Sequence, residues 1–366
     1  MSVAAAPAWL DEERLDESAP VVRVRQGLDA TRQARPQPSA QLVDSFGRVH
    51  RDLRVSVTDR CPLRCAYCVP LDDPRPLPRR DLMTAGEIVK AVRVAVELGV
   101  TRVRLTGGEP LQRPDLPDIV AGIAALPSPP QIALTTCGIG LDRLARRLAR
   151  AGLGRVNVSL DTVDRDRFKL ITGRDRLADA LAGIDAACAA GLRPVKLNAV
   201  LLPGGNEDDA LSLVEFALAR GCELRFIEYM PLGGRRPWRR DQLVTADAVL
   251  DRLRARYRLT PLPGRGHSPA ARWLVDGGPG VVGVIAAVTH PFCGDCDRLR
   301  LTADGQLRSC LFGNVEHDLL GPLRRGADDA ELADVLRGSV WAKPPGHGID
   351  QPGFHPPSRP MSAIGG

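Results

Sequence analysis

Six of the nine cysteines in this chain fall into two triplets, each one thiol short of closing a tetrahedral zinc site. Cys61, Cys65 and Cys68 are spaced C-x3-C-x2-C, and Cys293, Cys296 and Cys310 are spaced C-x2-C-x13-C. An iron–sulfur cubane held by three thiolates keeps one iron open to a further ligand. The first triplet therefore suggests a metal cluster that does chemistry. His290 and His317 flank the second, so a Cys3His zinc site competes there with a second cluster. Arg298 and Arg300 stand between its thiols and can point the same way on an extended segment. Such guanidinium forks suit phosphate or a planar base edge. Cys188 and Cys222 lie alone and read as small buried hydrophobes.

The elements that must position these groups alternate in type. Strand candidates are Leu53–Thr58, Arg102–Thr106, Gln131–Thr135, Arg155–Leu160, Pro194–Val200 and Glu223–Glu228. Between them lie amphipathic stretches: Thr84–Leu98, Asp115–Ala125, Leu141–Ala151, Leu177–Ala190 and Glu207–Arg220. The first opens on Thr84-Ala-Gly-Glu87, a capping-box pattern. Six βα units with short links predict an α/β fold of parallel strands joined by right-handed crossovers. In such folds reactive groups gather at the carboxyl ends of the strands. Here those ends carry the first cysteine triplet, Gly107-Gly-Glu-Pro110, Thr135-Thr-Cys-Gly138, Asn157 with Ser159 and Asp161, Lys196 with Asn198, and Glu228-Tyr-Met-Pro231. Adjacent glycines permit a close approach to the backbone. Past Arg235-Arg-Pro-Trp-Arg-Arg240 the rhythm changes to a helix near Ala246–Tyr257 and short strands near Arg272–Val275 and Val281–Ala286. The predicted organisation is a flexible extension over 1–42, a βα domain over 43–240 and a smaller α+β domain over 241–366.

The 366 residues suffice for a large core plus a smaller unit. No apolar run reaches membrane-spanning length, and the N-terminus lacks the basic start and apolar stretch of a secretory signal. Cytoplasmic location without membrane contact is the expectation. Lysine plus arginine outnumber aspartate plus glutamate by 50 to 44, which favours an anionic partner. With aromatics at 4% and arginines spread along the chain, a nucleic acid is not the expected one.

A triplet at this spacing after a first strand, followed by Gly-Gly-Glu-Pro, resembles the radical S-adenosylmethionine superfamily. The second triplet, enclosing Asp297-Arg-Leu-Arg-Leu-Thr-Ala-Asp-Gly305, and the ending Met361-Ser-Ala-Ile-Gly-Gly366 narrow the resemblance to the GTP 3′,8-cyclase family of molybdenum-cofactor biosynthesis. The resemblance runs from about Phe46 to the last residue. It implies an incomplete (βα)6 TIM-like barrel closed by a C-terminal cluster domain, with two [4Fe–4S] clusters and S-adenosylmethionine as cofactors. Cys61, Cys65 and Cys68 would hold the first cluster, and Tyr67, Gly108, Ser159 and Met230 would line S-adenosylmethionine. Cys293, Cys296 and Cys310 would hold the second cluster, on which the guanine of GTP would rest. Arg54, Arg104, Thr135, Lys196, Arg298 and Arg300 would contact GTP, with Leu299 adding its backbone. Arg298, Arg300, Gly365 and Gly366 would take part in the reaction itself, the terminal glycines by threading into the site. The implied product is (8S)-3′,8-cyclo-7,8-dihydroguanosine 5′-triphosphate. The implied partners are an external electron donor and a downstream cyclic pyranopterin monophosphate synthase, with the enzyme a monomer or homodimer. The chain departs from the family pattern at Val69, Cys137 and Asp297, and an acid at Asp297 would weaken anion binding nearby. A peptide-modifying radical enzyme with an auxiliary cluster and a zinc-stabilised binding module are the alternatives.

Overall fold

The computed structural model of this chain describes residues 21–24, 40–69, 76–232 and 238–365. A short strand, β1 (Val22–Val24), precedes the βα series. That series runs β2 (Asp52–Ser56), α1 (Ala85–Glu97), β3 (Arg102–Thr106), α2 (Leu116–Ala124), β4 (Gln131–Thr136), α3 (Leu141–Ala151), β5 (Arg155–Ser159), α4 (Arg165–Thr172), α5 (Leu177–Ala189), β6 (Val195–Val200), α6 (Ala210–Ala219) and β7 (Glu223–Ile227). Every strand and helix predicted for this region is present, with ends shifted by a few residues at most; α4 is the addition. The capping box forms as the sequence predicts: Thr84 accepts from the Glu87 backbone N–H, and the Glu87 carboxylate accepts from that of Thr84.

Strands β2 to β7 pair in parallel and in sequence order. Their side chains alternate between two faces. On β2, Leu53 and Val55 are buried in the main hydrophobic core, which also holds Ile88, Val92 and Val94 of α1. Asp52 and Arg54 point instead into the space enclosed by the curved sheet, where they line a cavity. The helices thus seal the outer face and leave polar side chains inside.

Six strands do not complete the sheet. After α7 (Ala246–Arg254), β8 (Leu259–Leu262), β9 (Ala271–Val275) and β10 (Val281–Ile285) form an antiparallel set whose β10 pairs in parallel with β7. At the opposite edge β11 (Arg298–Leu301) pairs in parallel with β2, followed by antiparallel β12 (Gln306–Arg308) and β13 (Val315–Asp318). The C-terminal segment therefore grips both edges of the incomplete barrel in one 13-stranded sheet. The division predicted near residue 240 marks a change of rhythm and not an end of the sheet. Of the flexible extension predicted over 1–42, residues 1–20 and 25–39 lie outside the described residues; among the described ones β1 pairs with β13, and Leu42 is fully buried.

One carboxylate locks this arrangement. Glu228, just past β7 and buried, accepts from the backbone N–H groups of Ala246 at 2.9 Å, Val288 at 2.8 Å and Thr289 at 2.9 Å. The Thr289 hydroxyl donates to it at 2.5 Å. It ties the start of α7 and the chain leaving β10 to the barrel rim. Among the described residues no helix is long and apolar enough to cross a membrane.

Candidate active site

The loop leaving β2 carries Cys61, Cys65 and Cys68 into a cavity of about 200 Å³ at the carboxyl ends of the strands. Its shape depends on α4, whose last residues accept from the loop: Ile171 O from Ala66 N at 2.9 Å and Thr172 O from Arg64 N at 2.8 Å. The adjacent glycines admit this loop. A Cβ on Gly108 would lie 2.4 Å from the carbonyl oxygen of Arg60 and 2.6 Å from that of Asp59. Glu109 beside it is buried and accepts from the Thr136 hydroxyl at 2.6 Å, the Cys137 N–H at 2.6 Å and the Leu111 N–H at 3.0 Å. It fixes the ends of β3 and β4 against each other. Cys137 lines the cavity while its backbone serves this anchor.

Tyr67, Gly108, Ser159 and Met230 all line the same cavity. The Tyr67 hydroxyl donates to Asp161 at 2.7 Å, and the Val200 N–H donates to the other oxygen of that carboxylate at 2.9 Å. Burial raises Asp161 to about 6 despite both hydrogen bonds. Burial, the neighbouring Cys61 and the Asp161 carboxylate push Cys68 up to about 12, and Cys65 is raised by burial and by Cys68. Two buried thiols raised this way, with Cys61 beside them, suit a group bringing positive charge, and a [4Fe–4S] cluster does so. The donor set fits that group.

A second cavity, about 470 Å³, opens deeper in the barrel, and its walls are basic. Register explains the clustering: Arg300 on β11, Arg54 on β2 and Arg104 on β3 are neighbours across three adjacent strands. Thr135, Asn157 and Lys196 align in the same way across β4, β5 and β6. Arg102, Arg155, Arg225, Arg272 and Arg298 also line it, together with Asp52. Buried cations held this close repel one another. Burial and Arg298 lower Arg54 to about 10, burial and Arg54 lower Arg104 to about 9, and burial and Arg225 lower Lys196 to about 8. Glu223 offsets part of the charge, accepting from Lys196 Nζ and Arg225 Nε, each at 2.7 Å. Asp52 attracts Arg54 and Arg104, yet four donors find no partner: Nε of Arg54, Nε and Nη1 of Arg104 and Nε of Arg155 are buried without a hydrogen bond. Such donors are costly unless an anion satisfies them.

The two cavities share Thr135, Asn198, Ile227, Met230 and Met361 as lining, so they adjoin. Arg54, Arg104, Thr135, Lys196, Arg298 and Arg300 all face the basic one. Leu299 does not line it; its side chain is in the hydrophobic core. Cys293, Cys296 and Cys310 stand beside it, since their neighbours Phe292, Arg298 and Leu311 form part of its wall. Arg298 Nη1 lies 3.8 Å from Cys296 Sγ. Burial raises Cys296, but Lys343 and Arg298 outweigh it and leave this thiol below its ordinary value. Burial raises Cys293. A thiol biased toward thiolate by two cations suits a ligand of a metal cluster. His290 lies 3.5 Å from Asp247, and His317 belongs to β13. Asp297 is buried and paired with Arg102, one of the cations lining this cavity, and its charge also acts on Arg54.

The C-terminal tail reaches this junction. Helix α8 (Met361–Ile364) brings Met361 between the cavities, and Gly365 O accepts from Arg300 Nη1. Gly365 has φ +77°, and a Cβ there would lie 2.5 Å from Thr106 Oγ1 and 3.2 Å from Ser56 Cβ. The glycine is needed for the tail to seat between the ends of β2 and β3. Gly366 lies outside the described residues. The sequence reading passed over Arg155 and Arg225. Each sits two positions along its strand from a polar residue, Asn157 or Glu223, and so shares its face, although only Asn157 is singled out in the sequence.

Residues 55–217 match the family model of the radical SAM superfamily, and residues 222–349 match that of Molybdenum Cofactor Synthesis C. The chain is 53% identical over 336 residues to the GTP 3′,8-cyclase of Corynebacterium glutamicum, covering 89% of each. It is 55% identical over 328 residues to that of Streptomyces coelicolor, covering 89% of this chain and 96% of the relative. It is also 55% identical over 331 residues to GTP 3′,8-cyclase 2 of Mycobacterium tuberculosis, covering 89% and 92%. Among solved structures, Streptococcus suis SuiB superposes with a TM-score of 0.55 at 16% identity, covering 83% of this chain and 68% of SuiB. That likeness is one of fold, and it agrees with the incomplete barrel.

Proposed function

This chain belongs to the GTP 3′,8-cyclase family of radical S-adenosylmethionine enzymes, and we propose that it converts GTP to (8S)-3′,8-cyclo-7,8-dihydroguanosine 5′-triphosphate. The observation that carries this reading is the set of buried guanidinium donors without partners in the basic cavity. A triphosphate would satisfy them. Cys61, Cys65 and Cys68 would hold the radical-generating cluster, and Cys293, Cys296 and Cys310 a second cluster against which guanine rests. When bound, the first cluster and S-adenosylmethionine supply a 5′-deoxyadenosyl radical able to take hydrogen from ribose C3′, after which the ribose carbon closes onto guanine C8.

The chain's own residues would orient these partners. Arg54, Arg104 and Lys196 would fix the triphosphate as point and forked cations, while Arg298 and Arg300 reach the nucleotide from the strand between the second-triplet cysteines. Clamping both ends of GTP holds C3′ and C8 in reach and replaces a search in solution by a preset geometry. Tyr67, Gly108, Ser159 and Met230 would line S-adenosylmethionine in the adjoining cavity. Met361 and Gly365 would cover the junction between the two and exclude water from it. An external one-electron donor and a downstream cyclic pyranopterin monophosphate synthase complete the proposal. Anaerobic reconstitution followed by GTP, S-adenosylmethionine and a reductant tests it. Two clusters per chain with formation of 5′-deoxyadenosine and a cyclised guanosine triphosphate are expected. Cleavage of S-adenosylmethionine with no GTP-derived product would remove the assignment.

A further inference from the structure

Two cysteines outside the cluster triplets meet. Cys188 near the end of α5 and Cys222, the residue before β7, place their Sγ atoms 3.8 Å apart across 34 positions of sequence. Their separate places in the sequence suggest two buried passengers, but the fold makes them a pair. Cys222 is 3% exposed and Cys188 is half-buried, so an oxidant reaches Cys188 first. The hydrogen bond with Cys222 lowers Cys188, and Arg193 and Arg220 add to this against burial and Asp185. Cys222 is raised in return. A more ionised outer thiol beside a buried partner is the arrangement of an attacking and a resolving cysteine.

The pair also has a route to the basic cavity. A disulfide brings its sulfurs to about 2.05 Å, so closure draws these two together by about 1.8 Å. Glu223 follows Cys222 directly, and its carboxylate holds Lys196 and Arg225 at 2.7 Å each. We propose that Cys188 and Cys222 form a reversible disulfide on exposure to a low-molecular-weight disulfide, and that closing it displaces Glu223 and disturbs the cations it holds. In the first step the Cys188 thiolate attacks a sulfur of the oxidant, forming a mixed disulfide and releasing one thiolate. Cys222 then gives up its proton and attacks Cys188 Sγ, releasing the second. Two protein thiols lose two electrons and two protons, and the oxidant is reduced to two thiols. The second half of the proposal rests on reading the basic cavity as the GTP site.

Reconstituted protein held anaerobically in glutathione buffers of increasing oxidised fraction, then acid-quenched, alkylated and digested, tests the pair by peptide mass. A cross-linked peptide two hydrogens lighter than the sum of its parts, removed by dithiothreitol and missing in Cys188→Ser and Cys222→Ser, is expected. Recovery of both cysteines only as separate alkylated or glutathionylated peptides overturns the pair. Oxidation should also shift GTP affinity by about threefold or more in the parent and leave Cys188→Ser unchanged. A cross-link without that shift overturns the relay. GTP binding to the fully reduced parent is the control: its absence removes the reading of the cavity, while the cross-link is scored by mass alone.

Discussion

Replacing Arg104 with methionine should stabilise the protein without nucleotide and weaken its hold on GTP. Arg104 is 9% exposed, and two of its three guanidinium nitrogens have no hydrogen-bond partner. Burial and Arg54 bring it from 12.5 down to about 9. At about 1.4 kcal/mol per pH unit, this bounds the cost of keeping the cation charged in the ligand-free cavity at about 5 kcal/mol. Local relaxation leaves about 1–2 kcal/mol to be recovered on removing the charge, since methionine keeps most of the apolar stem. The apparent melting temperature of ligand-free protein should rise by a few degrees, at about 2–4 °C per kcal/mol for larger domains. GTP binding should weaken by roughly 10- to 150-fold, the equivalent of one charge-assisted hydrogen bond of about 1.5–3 kcal/mol. Scanning fluorimetry and anaerobic calorimetric titration on the same reconstituted preparation read both quantities. A variant that melts lower without nucleotide, or binds GTP within twofold of the parent, refutes the view of Arg104 as a cation waiting for an anion.

The other tests probe neighbouring parts of the site. Lys196 is lowered to about 8 in the fold, so it releases its proton before the unfolded chain does. Ligand-free stability should therefore climb as pH rises from about 8 toward 10.5, while GTP affinity falls over the same range. Parallel slopes in denaturation and binding would contradict the assignment, and Lys196→Arg should flatten both. Gly365→Ala places a Cβ 2.5 Å from Thr106 Oγ1 at a φ of +77°, so the tail should unseat. GTP turnover should drop by about tenfold or more with iron content unchanged, the positive φ alone costing about 1–2 kcal/mol. Full turnover in that variant would show that the tail's seat is irrelevant. Glu228→Ala leaves three backbone N–H groups unsatisfied and should cost about 3–5 kcal/mol, with Glu228→Gln intermediate. Urea midpoints indistinguishable from the parent would sink the idea that this carboxylate locks the C-terminal segment to the barrel.

The barrel was legible because each of its strands is a short β-rich run bounded by turn residues, and each predicted helix carries an apolar stripe of its own. Helix α4 was not, since Arg165-Asp-Arg-Phe-Lys-Leu-Ile-Thr172 offers only Phe168 and Ile171 as a fully buried apolar pair. The two cysteine triplets stand out by spacing alone, but spacing leaves the second open between zinc and a cluster, and only the family resemblance implies a cluster there. The basic wall could be assigned only in part: Arg54, Arg104, Arg155, Lys196 and Arg225 all fall on predicted strands, but which of them meet across neighbouring strands depends on register, which one sequence does not display. The same holds for β11. Its pairing with β2 joins segments far apart in the chain and puts Arg300 beside Arg54. Glu228 and Glu109 sit at strand ends, where a catalytic carboxylate is expected, yet their oxygens are committed to backbone and hydroxyl donors. Only the hydrogen-bond partners distinguish an anchor from a reactant there.

In the proposed reaction two adjoining cavities bring the radical source to the ribose of a GTP held by the basic wall. GTP deuterated at C3′, turned over with unlabelled S-adenosylmethionine, tests it most directly through the mass of the 5′-deoxyadenosine released. Transfer of one deuterium from C3′, together with a cyclised triphosphate, is the predicted result. Unlabelled 5′-deoxyadenosine under conditions of GTP turnover would contradict the account.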